Sequence, residues 1–276
     1  MADQKNIAVI GAGPGGYAAA FLAADLGMQV TLIDRDPNPG GVCLYVGCIP
    51  SKALLHVAAL INESAHAKNW GVSFAAPKIE LDKLRGFKNN VVAKLTGGLG
   101  QLSKQRKVKY LRGTASFVDS HTLNVKKQEG GGEERLRFDN IIIATGSRPV
   151  RIPGISIESP RVMDSTGALE LPDIPKSLLV IGGGYIGLEL GTVYAALGTK
   201  VSVVEMTGGL LPGADRDLVR PLAQRIQKSF AAVMLNTKVA SVKEEKNGVR
   251  VRFEGAEVKE AEQVFDRVLV SVGRRP

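Results

Sequence analysis

Apolar residues in this chain fall in short runs that end on glycine. Asn6-Ile7-Ala8-Val9-Ile10 reads as a buried strand, followed by Gly11-Ala12-Gly13-Pro14-Gly15-Gly16 and an alanine-rich helix over 17–26 that Gly27 stops. A second strand over 29–33 ends at Asp34. Helical spacing predicts helices over roughly 50–69 and 80–105, then short alternating strands at 108–111, 114–118, 122–125 and 135–138. The last two flank a polar hairpin tip, Glu129-Gly130-Gly131-Gly132-Glu133. Asn140-Ile141-Ile142-Ile143-Ala144 is a further buried strand, running into Thr145-Gly146-Ser147-Arg148-Pro149, and proline-punctuated chain over 149–175 reads as a connector.

The opening pattern then returns. Leu178-Leu179-Val180-Ile181 leads into Gly182-Gly183-Gly184-Tyr185-Ile186-Gly187, a helix to Leu197, Gly198, and a strand over 201–204 ending at Glu205. A shift of 171 positions lays Gly11 on Gly182, Gly16 on Gly187, Leu26-Gly27 on Leu197-Gly198 and Asp34 on Glu205. Strand, GxGxxG, helix, strand and acid, in that order, make a dinucleotide unit. In the first unit Gly11 permits the tight turn, Gly13 lets backbone approach a pyrophosphate, and Gly16 lets the helix pack closely. The helix N-terminus offers amides to phosphate, and Asp34 can accept from a ribose diol. Two units with matching spacing predict two bound dinucleotides and an α/β fold of two Rossmann-like domains, over 1–148 and 149–276.

In the second unit Glu205 is followed by Met206-Thr207, with no arginine beside it, so NAD is favoured over NADP. Glu189 is placed in the first turn of its helix, either solvated or turned into the site. Tyr185 is bulky for a glycine loop, and its plainer reading is ordinary packing.

Only two cysteines occur, Cys43 and Cys48, within Val42-Cys43-Leu44-Tyr45-Val46-Gly47-Cys48-Ile49-Pro50-Ser51-Lys52. A regular helix sets residues five apart on different faces and too far apart for a disulfide, so the backbone is expected to be irregular here. Gly47 and Pro50 supply the means. Lys52 follows one turn beyond Cys48, where its charge can stabilise a thiolate. A redox dithiol is one reading and two unrelated core cysteines the other.

Composition narrows the class. An apolar fraction of 44% supports a sizeable core, and two cysteines exclude a secreted disulfide framework. Met1-Ala2-Asp3-Gln4-Lys5 lacks a basic leader and no run reaches membrane-spanning length, which points to the cytoplasm and no membrane partner. The net charge of +9 includes nine basic and no acidic residues from Lys83 to Arg112. With only Phe87 and Tyr110 as aromatics among them, these read as a solvated helix face and not a nucleic-acid surface. No metal site is expected.

Two dinucleotide units flanking a dithiol resemble the flavoprotein disulfide reductases. The stretch Gly40 to Leu55 with its two cysteines, Tyr185-Ile186-Gly187-Leu188-Glu189-Leu190-Gly191 and Met163-Asp164-Ser165-Thr166-Gly167-Ala168-Leu169 resemble the dihydrolipoamide dehydrogenase family within them. The resemblance implies FAD at Gly11, Gly13, Gly16, Asp34, Arg35, Gly41, Val42 and Lys52, with strand-end contacts at Gly113, Ala115, Thr145, Gly146 and Ser147. It implies NAD at Gly182, Gly184, Tyr185, Gly187, Glu189 and Glu205, with Val239 and Gly273 at the ends of the coenzyme. Cys43 is then the exposed thiol that exchanges with substrate, Cys48 the inner thiol beside the flavin, and Glu189 the partner of Lys52, tying the two domains together. The implied partners are a lipoyl-bearing acyltransferase of 2-oxoacid dehydrogenase complexes and, at full length, a second copy.

The family's usual threonine and asparagine are replaced by Val42, which removes a hydroxyl that could bond the cofactor, and by Tyr45, which alters the surface near the thiols; both read as tuning. The family pattern continues beyond position 276 with a second FAD segment and an interface domain carrying a His-Glu base, which implies that the second Rossmann-like domain is inserted into the first. His56, His66 and His121 match no such motif, so the chain reads as part of a longer enzyme. Glutathione and mercuric reductases are alternatives within the class, the first disfavoured by Glu205. A nucleotide-binding fragment without turnover is the alternative outside it.

Overall fold

A computed structural model describes residues 5–256, 258 and 260–276. Met1 to Gln4, part of the stretch searched for a leader, lie outside the described residues. The chain divides into two compact units, one of residues 1–50, 89–147 and 276, the other of residues 51–88 and 148–275.

In the first unit β1 (Asn6–Ile10) leads through α1 (Pro14–Asp25) to β2 (Gln29–Asp34). The dithiol segment follows as α2 (Gly41–Val46), a break at Gly47, and α3 (Cys48–His66). After α4 (Leu81–Gln105) come β3 (Lys109–Asp119), β4 (Thr122–Lys127), β5 (Glu133–Arg137) and β6 (Asn140–Ile143). The six strands form one sheet in the order β5-β4-β3-β2-β1-β6. β1 lies parallel to both β2 and β6. Val9 and Leu32 are buried on one face, Ala8 and Ile33 on the other, which is why these strands read as unbroken apolar runs.

Where the sequence suggested two strands at 108–118, one continuous β3 runs through. It is parallel to β2 up to the Asp34–Arg112 pair and antiparallel to β4 from Gly113 onward. Gly113 does not break the strand. It is glycine because a Cβ there would stand 2.5 Å from the Lys126 carbonyl oxygen.

The second unit opens with β7 (Arg148–Pro149), β8 (Val162–Met163) and α5 (Ser165–Leu169), so the expected connector is folded chain. The dinucleotide motif follows as β9 (Ser177–Ile181), α6 (Tyr185–Ala196) and β10 (Lys200–Val204). Then come α7 (Arg216–Ser229), β11 (Ala232–Met234), β12 (Lys238–Glu245), β13 (Gly248–Glu254), β14 (Glu262–Phe265), β15 (Arg267–Val270) and β16 (Arg274–Arg275). A five-stranded sheet runs β11-β10-β9-β15-β8, beside a three-stranded sheet β12-β13-β14 and a β16-β7 ribbon. Leu54 and Ala58 of α3 sit in its core with Leu190, Tyr194 and Leu269, which draws residues 51–88 into this unit. By length and composition the run Gly41–Trp70 passes for a membrane span, contrary to expectation, but it is interrupted at Gly47 and its apolar side packs in that core.

Lys83, Lys94 and Lys104 of α4 are exposed as expected, but two cations near its start are not. Lys88 is 4% exposed and donates to the Leu169 carbonyl at 2.9 Å, while Arg85 donates to the carbonyls of Leu171 and Pro172 at 2.6–2.8 Å. These cations satisfy carbonyls left at and beyond the end of α5. Burial lowers the pKa of the Lys88 ammonium.

Candidate functional site

Each glycine loop is closed by the acid at the end of the following strand. Asp34 Oδ2 accepts from the Ala12 amide at 2.6 Å, and Oδ1 from the amides of Arg35 and Asp36 at 2.6 and 3.1 Å. At the matching positions Glu205 Oε2 accepts from the Gly183 amide at 2.7 Å, and Oε1 from the amide and hydroxyl of Thr207 at 2.8 and 2.9 Å. The main chain repeats as well. Gly11 and Gly182 donate to Ile33 and Val204, and Gly40 and Leu211 donate to Ala12 and Gly183, at 2.8–2.9 Å throughout. An ionised carboxylate has about four lone-pair positions, and three are in use in each acid, leaving one for a ribose hydroxyl. Burial, followed by the charge of Asp34, raises the pKa of the Asp36 carboxyl.

The glycines sort by what a side chain would meet. At Gly16 a Cβ would lie 1.7 Å from the Gly11 carbonyl oxygen, so the helix packs on the turn itself as well as on β6. At Gly187 it would lie 2.5 Å from Ser271 Oγ and 2.6 Å from the Gly182 carbonyl oxygen. Gly11 and Gly182 adopt φ +95° and +106°, where only glycine sits without strain. Gly13 and Gly184 differ: a Cβ at the first meets nothing nearer than Gly41 Cα at 3.9 Å, and at the second nothing within 4 Å. Both are the N-caps of their helices, and neither helix has a side-chain cap. Bare glycine that the fold does not require, beside uncapped helix amides, suits the close approach of a pyrophosphate. Both loops fit a dinucleotide.

Lys52 Nζ donates to Glu189 Oε1 at 2.6 Å, and Ser51 Oγ stands 3.4 Å from Oε2. The expected pair forms, and it falls within the second unit because that unit takes in residues 51–88 of the expected 1–148 domain. Glu189 is the fifth residue of α6, in its second turn and not its first. Tyr185 opens that helix 64% exposed, so packing does not account for it.

Cys43 on α2 and Cys48 at the start of α3 are thiols on either side of the Gly47 break. A Cβ at Gly47 would meet the Val42 carbonyl oxygen at 2.8 Å, which keeps the turn closed to other residues. Without flavin, Cys48 is exposed and Cys43 half-buried, whereas the expected order has Cys48 sheltered under the flavin. Burial and, after it, the charge of Cys43 raise the Tyr17 phenol. In the flavin-free chain Cys48 is therefore expected to alkylate first, and bound FAD to invert the order by covering it. Mass mapping after brief alkylation, with and without FAD, reads this directly; preferential Cys43 labelling without FAD would contradict it.

The remaining predicted positions scatter more. Gly113 and Ala115 lie where β3 passes beyond the end of β2, and Thr145, Gly146 and Ser147 follow β6. Arg35 and Val42 are exposed, and Gly41 rests on Gly13, where a Cβ would come 2.5 Å from Gly13 Cα. Gly273 has open space around it, but the Val239 side chain is 5% exposed in the core, so only its main chain can meet a ligand. Tyr45 is half-buried. Its hydroxyl turns to the main chain of Asn38, a partner that motif reading missed because only a fold-back loop brings it near. His56 is exposed, while the His66 and His121 rings contact Asn69 and the Phe138 carbonyl. Among the described residues no three metal-type ligands group together.

The model of the pyridine nucleotide-disulphide oxidoreductase family matches residues 5–276. The chain is similar to the dihydrolipoyl dehydrogenase of Haemophilus influenzae, with 51% identity over 273 residues, 99% of this chain and 56% of that protein. The dihydrolipoyl dehydrogenase of Geobacillus stearothermophilus is 45% identical over 277 residues, 58% of its length. Among solved structures LpdA of Mycobacterium tuberculosis superposes with a TM-score of 0.88 at 26% identity, over 99% of this chain and 59% of that one. The chain thus spans well under two thirds of the length of these relatives.

Proposed function

The chain belongs to the pyridine nucleotide-disulphide oxidoreductase family, and from that premise we propose that it carries the dithiol and both nucleotide sites of an NAD-dependent dihydrolipoamide dehydrogenase. The first unit is the FAD-binding part and the motif of the second unit binds NAD. The observation that carries this reading is the twice-built loop closed by Asp34 and Glu205, at 2.6 and 2.7 Å.

In the oxidised state a substrate thiolate attacks the Cys43 sulfur of a Cys43–Cys48 disulfide, forming a mixed disulfide and releasing the Cys48 thiolate. The second substrate thiolate attacks its own bound sulfur, closes the lipoamide ring and releases Cys43, leaving the dithiol reduced by two electrons. FAD supplies the acceptor that passes this electron pair to NAD as hydride. Gly13 and the α1 amides hold its pyrophosphate and Asp34 its ribose, while Gly184 and Glu205 do the same for NAD. Glu189 holds the Lys52 ammonium in place. The substrate class points to a lipoyl-bearing acyltransferase of the 2-oxoacid dehydrogenase complexes as partner, a homodimer as the working form and the cytoplasm as its place.

The test is to add FAD to the purified chain, record the visible spectrum and then titrate with NADH. Flavin absorbance that bleaches on NADH addition is expected, with dihydrolipoamide reducing the disulfide in the same preparation. A chain that binds neither nucleotide would sink the proposal.

A further inference from the structure

The loop behind Asp34 is held by three side chains that no motif accounts for. Arg112 Nε donates to the Arg35 carbonyl at 3.0 Å, and Tyr110 Oη to the Asp36 carbonyl at 2.9 Å. Tyr45 Oη both accepts from the Asn38 amide at 3.2 Å and donates to the Asn38 carbonyl at 3.1 Å. Its ring edge packs on Gly40, where a Cβ would come within 3.2 Å. Burial raises the pKa of this phenol, so it keeps the proton that it donates at neutral pH.

Tyr45 sits on α2, two residues after Cys43. The bond pair to Asn38 therefore closes a short loop whose far side is the thiol segment. Gly40 within that loop donates to the Ala12 carbonyl at 2.8 Å, and Gly41 touches Gly13. Hydrogen bonds thus join Tyr45 to Asn38 and Gly40 to the Ala12 loop, and Cys43 lies on the same short helix as Tyr45.

We propose that Tyr45 is a positioning residue: its phenol holds the Cys43 helix to the loop behind Asp34 and so favours closure of the Cys43–Cys48 disulfide. The inference rests on the reading of this pair as a redox dithiol. A thiol held in register presents a higher effective concentration to its partner than one on a loosened helix. Reduction consumes two glutathione molecules per protein disulfide and yields the dithiol and one glutathione disulfide.

The experiment compares wild type, Tyr45→Phe and Asn38→Ala without added flavin. Phenylalanine keeps the ring and loses both bonds, whereas Asn38→Ala keeps them because they go to the main chain. In Tyr45→Phe, amide exchange over residues 36–41 is expected to accelerate roughly fivefold, the worth of one typical hydrogen bond. The glutathione ratio at which half the disulfide is reduced should shift by a similar factor toward easier reduction, by roughly threefold to fivefold. Asn38→Ala should match wild type in both. A wild-type pair that oxidises normally while Tyr45→Phe shows an unchanged equilibrium would overturn the proposal alone. A wild-type pair that never oxidises would overturn the redox reading and this proposal together. A flavin titration of the same three proteins then tests the nucleotide assignment independently.

Discussion

Gly16→Ala is expected to cost the first unit about 4 kcal/mol or more, enough to unfold a marginal domain. The new methyl would lie 1.7 Å from the Gly11 carbonyl oxygen and 2.8 Å from its carbon, and both are main chain held by the Gly11–Ile33 bond. Relief requires α1 to lift off the turn, which separates it from β1 and β6. Gly13→Ala, three positions earlier, should behave in the opposite way. Gly13 has φ −70° and ψ −177°, which alanine adopts readily, and the methyl meets nothing nearer than 3.9 Å. Its stability should stay within about 1 kcal/mol of wild type, since reduced unfolded-chain entropy offsets a slightly poorer cap. FAD affinity, however, should fall at least tenfold, because the methyl occupies the approach of the pyrophosphate. Gly184→Ala should do the same to NADH in the second unit. Urea unfolding beside FAD and NADH titrations separates the two classes. Wild-type nucleotide affinity in both Gly13→Ala and Gly184→Ala would remove the case for dinucleotides at these loops.

The second large effect belongs to Glu205. The wild-type chain should bind NADH at least tenfold more tightly than NADPH, since a phosphate against this carboxylate costs more than about 1.4 kcal/mol. The residue has a second duty that motif reading did not reveal. It is 9% exposed and accepts three hydrogen bonds that close the loop over Gly183 and Thr207. Glu205→Ala should therefore lose the coenzyme preference and also destabilise the second unit by about 1–3 kcal/mol, because the buried Gly183 amide is left without its acceptor. Glu205→Gln keeps the shape and most of the bonding but removes the charge. It should narrow the NADH–NADPH gap at a smaller cost in stability. Equal affinities of wild type for the two coenzymes would refute the specificity assignment, and an alanine variant as stable as wild type would refute the loop-closing role.

Local spacing was enough for the sequence alone to determine both dinucleotide units. A tight turn, a helix start and an acid 22 positions on make contacts through backbone a few residues away, so glycine placement specifies them almost completely, twice over. The break between Cys43 and Cys48 was legible for the same reason, because Gly47 and Pro50 act on their own backbone. Other features depended on which distant segment folds back. Periodicity marks which side of α4 is basic, but not that Lys88 and Arg85 meet carbonyls more than 80 positions away. Lys52 and Glu189 were paired by resemblance, yet only the packing of Leu54 and Ala58 into the second core places both in one unit. Gly113 looked like a strand break, and only the neighbouring Lys126 carbonyl explains a glycine inside a continuous strand. Tyr45 looked like a change of surface, and only the fold-back of Asn38 gives its hydroxyl a partner. Sequence determines what the backbone does within a few residues of itself. The partner of a long side chain is chosen by segments far along the chain, and that choice exists only once both have packed.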